Sequence, residues 1–189
     1  MIKTNETEQE YVNKLIPTFS KHFTVTQEVW SKCKNGRIDL VLTLKDGIHF
    51  GIECKAPNEK RGEKIGEFIK QAIRYSNYEF HIGNGIYKKI PILITPALSY
   101  NYLIMKTETT EIDGKEYHKD RHSKYDSHHT INGIIGAFSI GEIRLSYNNK
   151  YIFSVSNKTI FSTHTEWNSN EIIGLHEENY VKLLKKLSI

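Results

Sequence analysis

The chain has 189 residues, enough for one domain of ordinary size or a compact core with an appendage. Lys and Arg outnumber Asp and Glu, 26 against 22, and the net charge of +4 allows a polyanionic partner without requiring one. There is no apolar run near the roughly 18 residues of a membrane span, and the polar, acidic start "MIKTNETEQE" does not read as a signal peptide, so neither a membrane location nor a secretory leader is expected.

Residues 7–19, "TEQEYVNKLIPTF", predict a helix. Thr7 and Glu10 have capping-box spacing, and Val12, Leu15, Ile16 and Phe19 form its apolar stripe. Pro17 is expected to kink or shorten it. "FTVTQEVW" (23–30) reads as a strand and "SKCKNG" (31–36) as a polar turn.

Two alternating runs follow. In "RIDLVLTL" (37–44), Ile38, Leu40, Leu42 and Leu44 are expected on one face. In "IHFGIECK" (48–55), Ile48, Phe50, Ile52 and Cys54 share one face, and His49, Gly51, Glu53 and Lys55 the other. The join fixes the register. A two-residue loop would mismatch the apolar faces. A three-residue loop, Lys45-Asp46-Gly47 with Gly47 left-handed, pairs Leu44 with Ile48, Leu42 with Phe50, Leu40 with Ile52 and Ile38 with Cys54. It also sets Asp39 opposite Glu53 and Arg37 opposite Lys55, like charges that destabilise unless something binds between them.

"NEKRGEKIGEFIKQAIRYSNY" (58–78) predicts a helix from about residue 63, with Ile65, Phe68, Ile69, Ala72 and Ile73 inward. "KKIPILITP" (88–96) reads as a buried strand, so an αβββαβ core is complete near residue 97 and is assigned to residues 1–105. Residues 106–130 are almost wholly polar and are expected to be a loop or insertion, partly disordered. Residues 131–189 predict a helix, two or three strands with Asn-rich turns, and a last amphipathic helix (177–187), an α+β extension that either extends the sheet or forms a lobe on the core.

Cys33 and Cys54 form no CxxC pair and are too few for a four-cysteine metal site. Reduced thiols in a cytoplasmic protein are expected, with a Cys33–Cys54 disulfide left open. His118 and His122 have i, i+4 spacing, with His128 and His129 beyond, but such a polar segment reads as solvated histidines rather than a zinc site.

Chemistry concentrates in Asp39, Glu53 and Lys55. Two hard carboxylates on neighbouring strands suit Mg²⁺ or Mn²⁺, with the backbone carbonyl of Cys54 as a third oxygen. A cation there would remove the Asp–Glu repulsion, activate a water and stabilise charge on a phosphate, with Lys55 assisting.

The pattern Asp39–(13 residues)–Glu53-Cys54-Lys55 on a hairpin, after a helix and a strand, resembles the PD-(D/E)XK nuclease superfamily. Gln71-Ala-Ile-Arg-Tyr75 resembles the QxxxY motif of its RecB-type and related branches, and "EQEYVNKL" looks like the first helix of archaeal Holliday-junction resolvases. The likeness covers residues 6–97. One departure is Ile38 where the motif has Pro. The resemblance implies a restriction-endonuclease-like fold with a mixed central sheet flanked by helices. It also implies Mg²⁺-dependent hydrolysis of DNA phosphodiester bonds, leaving a 5′-phosphate, in recombination, repair, restriction or phage DNA processing. It further implies an acidic residue from the first helix, for which Glu8 is preferred; Glu10 is expected to pair outward with Lys14, and Glu28 is a second candidate. Gln71 and Tyr75 would reach the active site and the DNA backbone, and Lys60, Arg61 and Lys64 would contact phosphates. A homodimer is compatible with it. The alternative is a DNA-binding or assembly protein that keeps the fold without the chemistry, against which the intact Asp, Glu and Lys set argues.

Overall fold

The computed structural model describes residues 6–44, 47–57, 64–96, 106–112, 115–121, 135, 137–138, 140–145, 151–155, 158–162, 174–175 and 177–187. Helix α1 (Glu8–Phe19) starts at the predicted capping box: the Thr7 backbone N–H donates to Glu10 Oε2 at 2.8 Å and the Glu10 N–H donates back to Thr7 Oγ1 at 3.2 Å. Glu10 is therefore spent on the cap, and Lys14 forms its ion pair with Glu6 instead. Pro17 does not shorten the helix, which runs on to Phe19.

Strands β1 (Thr24–Trp30), β2 (Arg37–Thr43) and β3 (His49–Cys54) form an antiparallel meander. The β2–β3 register is the one the apolar faces predict, with Leu40 on Ile52 and Leu42 on Phe50. Gly47 stands at φ +74°, and the Leu44 N–H donates to the Ile48 carbonyl at 2.8 Å. Only a residue without a Cβ enters that region at little cost, so Gly47 sets the loop length and the loop length sets the register.

Helix α2 (Ile65–Ser76) then crosses to β6 (Ile92–Thr95), which lies parallel to β3. The run 88–96 is not one strand. Lys88 and Lys89 belong to β5 (Tyr87–Lys89), paired with β4 (Glu79–His81) in a small separate sheet. Pro91, which has no N–H to give a ladder, stands between β5 and β6.

The polar stretch is not all loop: β7 (Lys106–Ile112) and β8 (Lys115–Arg121) pair residue for residue in an antiparallel ladder. Thr at three of the fourteen ladder positions, with Tyr117 and Ile112, supplies strand propensity that the charge had masked. His118 lies on that strand, so a helical pair with His122 is ruled out; His122, His128 and His129 lie outside the described residues.

The C-terminal strands extend the main sheet. β9 (Gly141–Leu145) runs parallel to β6, followed by antiparallel β10 (Tyr151–Val155), β11 (Lys158–Ser162) and the short β12 (Gly174–Leu175). The result is a mixed eight-stranded sheet, ordered β1-β2-β3-β6-β9-β10-β11-β12 among the described residues. Of the stretch 131–143, expected to be a short helix and a turn, residues 131–134, 136 and 139 lie outside the described residues, and Gly141–Ile143 begin β9 instead of a turn. Helix α3 (Glu177–Leu187) closes the chain as expected.

Two hydrophobic clusters sandwich the sheet. One joins Tyr11, Val12, Leu15 and Phe19 of α1 and Tyr180 of α3 to Leu40, Leu42, Phe50, Ile52, Phe153 and Phe161. The other joins Ile69, Ala72 and Tyr75 of α2 to Val29, Ile38, Val41, Ile92 and Ile94. Ile38 is thus not on the face of Leu40 and Leu42. The space a Cβ on Gly51 would need, 2.7 Å from Ile38 Cδ1 and 2.8 Å from Ile92 Cδ1, is already filled from that second side.

The change of face has a local cause. On β1, Val25 packs with the first cluster and Val29 with the second, although strict alternation would put them together. Between them Glu28 takes φ +54°, a left-handed conformation costing a side-chain-bearing residue about 1–2 kcal/mol. Glu28 lies between the partners of Leu40 and Ile38, and so faces Asp39. Both strands therefore change face at the level of the acidic centre.

Candidate active site

Asp39, Glu53 and Lys55 meet where β3 ends, between the N-terminus of α1 and the inner face of α2. The β2–β3 ladder stops at Leu40–Ile52, one pair before Asp39 and Glu53. Asp39 replaces the next rung with its side chain: the Cys54 N–H donates to Asp39 Oδ2 at 2.7 Å. On the other edge, the Lys55 N–H donates to the Thr95 carbonyl at 2.8 Å, and Thr95 Oγ1 is 2.9 Å from the Tyr11 hydroxyl. Two strands and one helix thereby fix the backbone that presents Glu53 and Lys55.

Both side chains are buried, Glu53 with 2% and Lys55 with 7% of its surface exposed. Lys55 Nζ donates to Glu53 Oε1 at 2.5 Å, lies 3.8 Å from Glu8 Oε2, and sits 5.4 Å from the centre of the Phe68 ring. Glu53 Oε2 is buried with no hydrogen-bond partner. Arg37, expected opposite Lys55, pairs instead with Glu28, because the ladder does not reach that level.

The electrostatics report a shortage of positive charge. Burial pushes the Asp39 carboxyl up to about 6, against the opposing pull of the Cys54 N–H and of Lys55. Burial, and then the charge on Asp39, pushes Glu53 up to about 8, although Lys55 pulls it down. Burial alone would lower the Lys55 ammonium, but Glu53 and the other carboxylates hold it above its ordinary value. One lysine does not balance the carboxylates gathered here.

A cavity of about 530 Å³ opens over this centre, lined by Glu8, Asp39, Glu53 and Lys55, by Gln71 and Tyr75 from α2, and by the β1–β2 turn. Glu8 is the first-helix acid that reaches it, as preferred. Glu28 instead holds Arg37, and Glu10 caps α1. Gln71 Nε2 donates to the Tyr75 hydroxyl at 3.0 Å. Tyr75 is itself buried, its ring edge-on to Phe80 at 5.9 Å, so only its hydroxyl end serves the cavity. Lys64 is exposed at the start of α2, while Lys60 and Arg61 lie outside the described residues. The two cysteines are free, Cys33 exposed and Cys54 buried, so no 33–54 disulfide forms.

No family model, no curated protein and no solved structure matches the chain.

Among the described residues, no three His, Cys, Asp or Glu side chains converge as a metal-binding group. The donors at this centre are the Asp39 and Glu53 carboxylates and the Cys54 backbone. That set fits Mg²⁺ better than zinc, because Mg²⁺ keeps several waters and takes one or two carboxylates. The partnerless Glu53 Oε2 and the raised carboxyls are what a site built for an added cation would show.

Sequence reasoning missed Tyr11, whose place three residues after Glu8 on the helix was the available signal. It also missed Trp30, and it placed Arg37 opposite Lys55 instead of across from Trp30 on the β1–β2 side of the cavity. No helix among the described residues is long and apolar enough to cross a membrane.

Proposed function

We propose that this protein is a metal-dependent nuclease that hydrolyses DNA phosphodiester bonds, built on a restriction-endonuclease-like αβββαβ core. The observation that carries the reading is the buried Asp39–Glu53–Lys55 centre at the end of β3, with a buried carboxylate oxygen lacking any partner, opening into a cavity. The order α1, β1–β2–β3, α2, β6, with β6 parallel to β3, supports the fold assignment.

Asp39, Glu53 and the Cys54 carbonyl would hold Mg²⁺ or Mn²⁺, with Glu8 as the further acid at the cavity. Such a cation, when bound, supplies Lewis-acid activation of a water and charge neutralisation at the phosphate. The chain's own part is positioning. The Cys54 N–H fixes Asp39, and the Thr95 carbonyl fixes the backbone of Lys55. The Lys55 ammonium stays charged between Glu53 and Glu8, where it can orient the attacking water and stabilise the charge developing on phosphate oxygens. Gln71, held by Tyr75, offers an amide to the same cavity.

The test is cleavage of plasmid, linear duplex, single-stranded and four-way-junction DNA in Mg²⁺, Mn²⁺ or EDTA, repeated with Lys55→Ala and Asp39→Ala. Metal-dependent cleavage that falls about 100-fold or more in each variant is expected. No cleavage of any substrate, or cleavage indifferent to both substitutions, would favour a binding protein that keeps the fold without the chemistry.

A further inference from the structure

The β1–β2 part of the cavity lining has a different chemistry from the carboxylates. Trp30 ends the edge strand β1 and keeps 53% of its surface exposed, more than any other large apolar side chain of the described residues. Its cross-strand partner is Arg37, whose guanidinium lies 5.7 Å from the centre of an indole ring. The ion pair with Glu28 holds Arg37 in turn, which gives the left-handed Glu28 a structural purpose. Lys34 belongs to the same part of the lining. Leaving a tryptophan in water forgoes the burial that usually places this side chain inside, and here the exposed ring borders the acidic centre.

We propose that Trp30, steadied by Arg37, is a stacking platform for one unpaired base, so that the centre takes a single-stranded segment of DNA rather than continuous duplex. The proposal rests on reading the centre as a phosphodiester-cleaving site. In a duplex the faces of the bases are covered by their neighbours, and only edges and phosphates are offered to a protein. An aromatic ring gains from a base only when that base is out of its stack, and such stacking tolerates every base because each has a π-face. Lys34, in the same part of the lining, adds positive charge suited to the phosphates beside the stacked base, while the charge of Arg37 is shared with Glu28. The volume, about 530 Å³, falls within the ~300–1,000 Å³ of small-ligand pockets, the scale of a nucleotide rather than of a double helix.

The chain has two tryptophans, so Trp167→Phe leaves Trp30 as the only indole reporter. That protein is titrated in EDTA with a short oligodeoxythymidine, with an abasic oligomer of equal length and charge, and with a blunt duplex. The expected result is quenching of Trp30 fluorescence by the oligodeoxythymidine alone. Read by fluorescence anisotropy of a dye-labelled oligodeoxythymidine, which needs no indole in the protein, Trp30→Ala should weaken binding roughly tenfold or more, and Trp30→Phe should restore most of it. Equal quenching by the abasic oligomer or by the duplex would overturn the proposal, as would unchanged affinity in Trp30→Ala. The two readings fail separately. Lys55-dependent cleavage with no base-dependent quenching overturns the platform alone. Base-dependent quenching without Lys55-dependent cleavage upholds the platform and overturns the nuclease.

Discussion

The two faces of one sheet solve different problems with residues that alternate along the same strands. On the α1 and α3 face, Phe50 of β3 packs against Phe153 at 5.8 Å and Tyr180 at 5.6 Å, while Phe23 meets Phe161 at 4.7 Å and Phe19 meets Phe153 at 5.6 Å. On the α2 face, a smaller and mostly aliphatic cluster shares the sheet with a charged centre that burial alone would reject. The aromatic face joins the first helix, the central strands and the last helix, and it is where the stability concentrates. The other face holds carboxylates in a state that is costly without a cation. The aromatic packing on one side of these strands offsets the cost of the buried carboxylates on the other.

The sharpest way to break this contrast is at Phe153. It is fully buried and touches rings from α1, β3 and β11. Phe153→Ala is expected to cost about 3–5 kcal/mol, read as a lower midpoint in denaturant unfolding. It should leave the divalent-cation dependence of any residual folded protein intact. A loss below about 1 kcal/mol would mean that the C-terminal strands are an accessory layer and not part of the core that α1 needs.

The second effect is electrostatic, and its sign is opposite to ordinary acid denaturation. Asp39 and Glu53 have folded-state values raised to about 6 and about 8, above their ordinary carboxylate values. Their contribution to stability is therefore fully present at low pH and is lost as pH rises through about 6 and then about 8. His49, whose value burial lowers, works the other way, costing stability as pH falls below its ordinary value. Above neutral pH Glu53 leads, joined towards pH 9 by the Cys54 thiol, which burial raises, and opposed by the Cys33 thiol, which its hydrogen bond with Ser31 lowers. Thermal midpoints without metal should fall between about pH 7 and 9, and Glu53→Gln should flatten that fall. Mg²⁺ should raise the midpoint more at the alkaline end, where protons no longer compete for the carboxylates. An equal slope in wild type and Glu53→Gln would assign the shortage of positive charge to some other group.

The aromatic face was easier to read in the sequence than the centre it supports. Alternation and the single turn glycine, Gly47, were enough to align Leu40 with Ile52 and Leu42 with Phe50, because a slip of one residue would reverse every side chain. The same logic brought Asp39 and Glu53 to one level. It failed at Ile38 and Arg37, since strict alternation has no way to represent a left-handed Glu28 or a side chain that replaces a ladder rung. Trp30 escaped notice because an aromatic at the end of a strand looks like core until the strand proves to be a sheet edge. In the C-terminal half the Asn-rich turns pointed to two or three strands, but not to the parallel docking of β9 on β6. That contact is non-local, and no short-range pattern encodes it.

The smallest effect lies at Tyr75, which belongs to both sides of the comparison. Its ring is core, packed on Phe80 and Tyr78, while its hydroxyl accepts from Gln71 at the cavity. Tyr75→Phe keeps the ring and removes one part-buried hydrogen bond, so a stability loss of about 0.5–1.5 kcal/mol is expected. If Gln71 acts in the cavity, Tyr75→Phe should also weaken DNA cleavage to much the same extent as Gln71→Ala, and the double variant should add little, because both remove one unit. Full additivity of the two, measured as cleavage rates, would separate the hydroxyl from Gln71 and leave Tyr75 as packing alone.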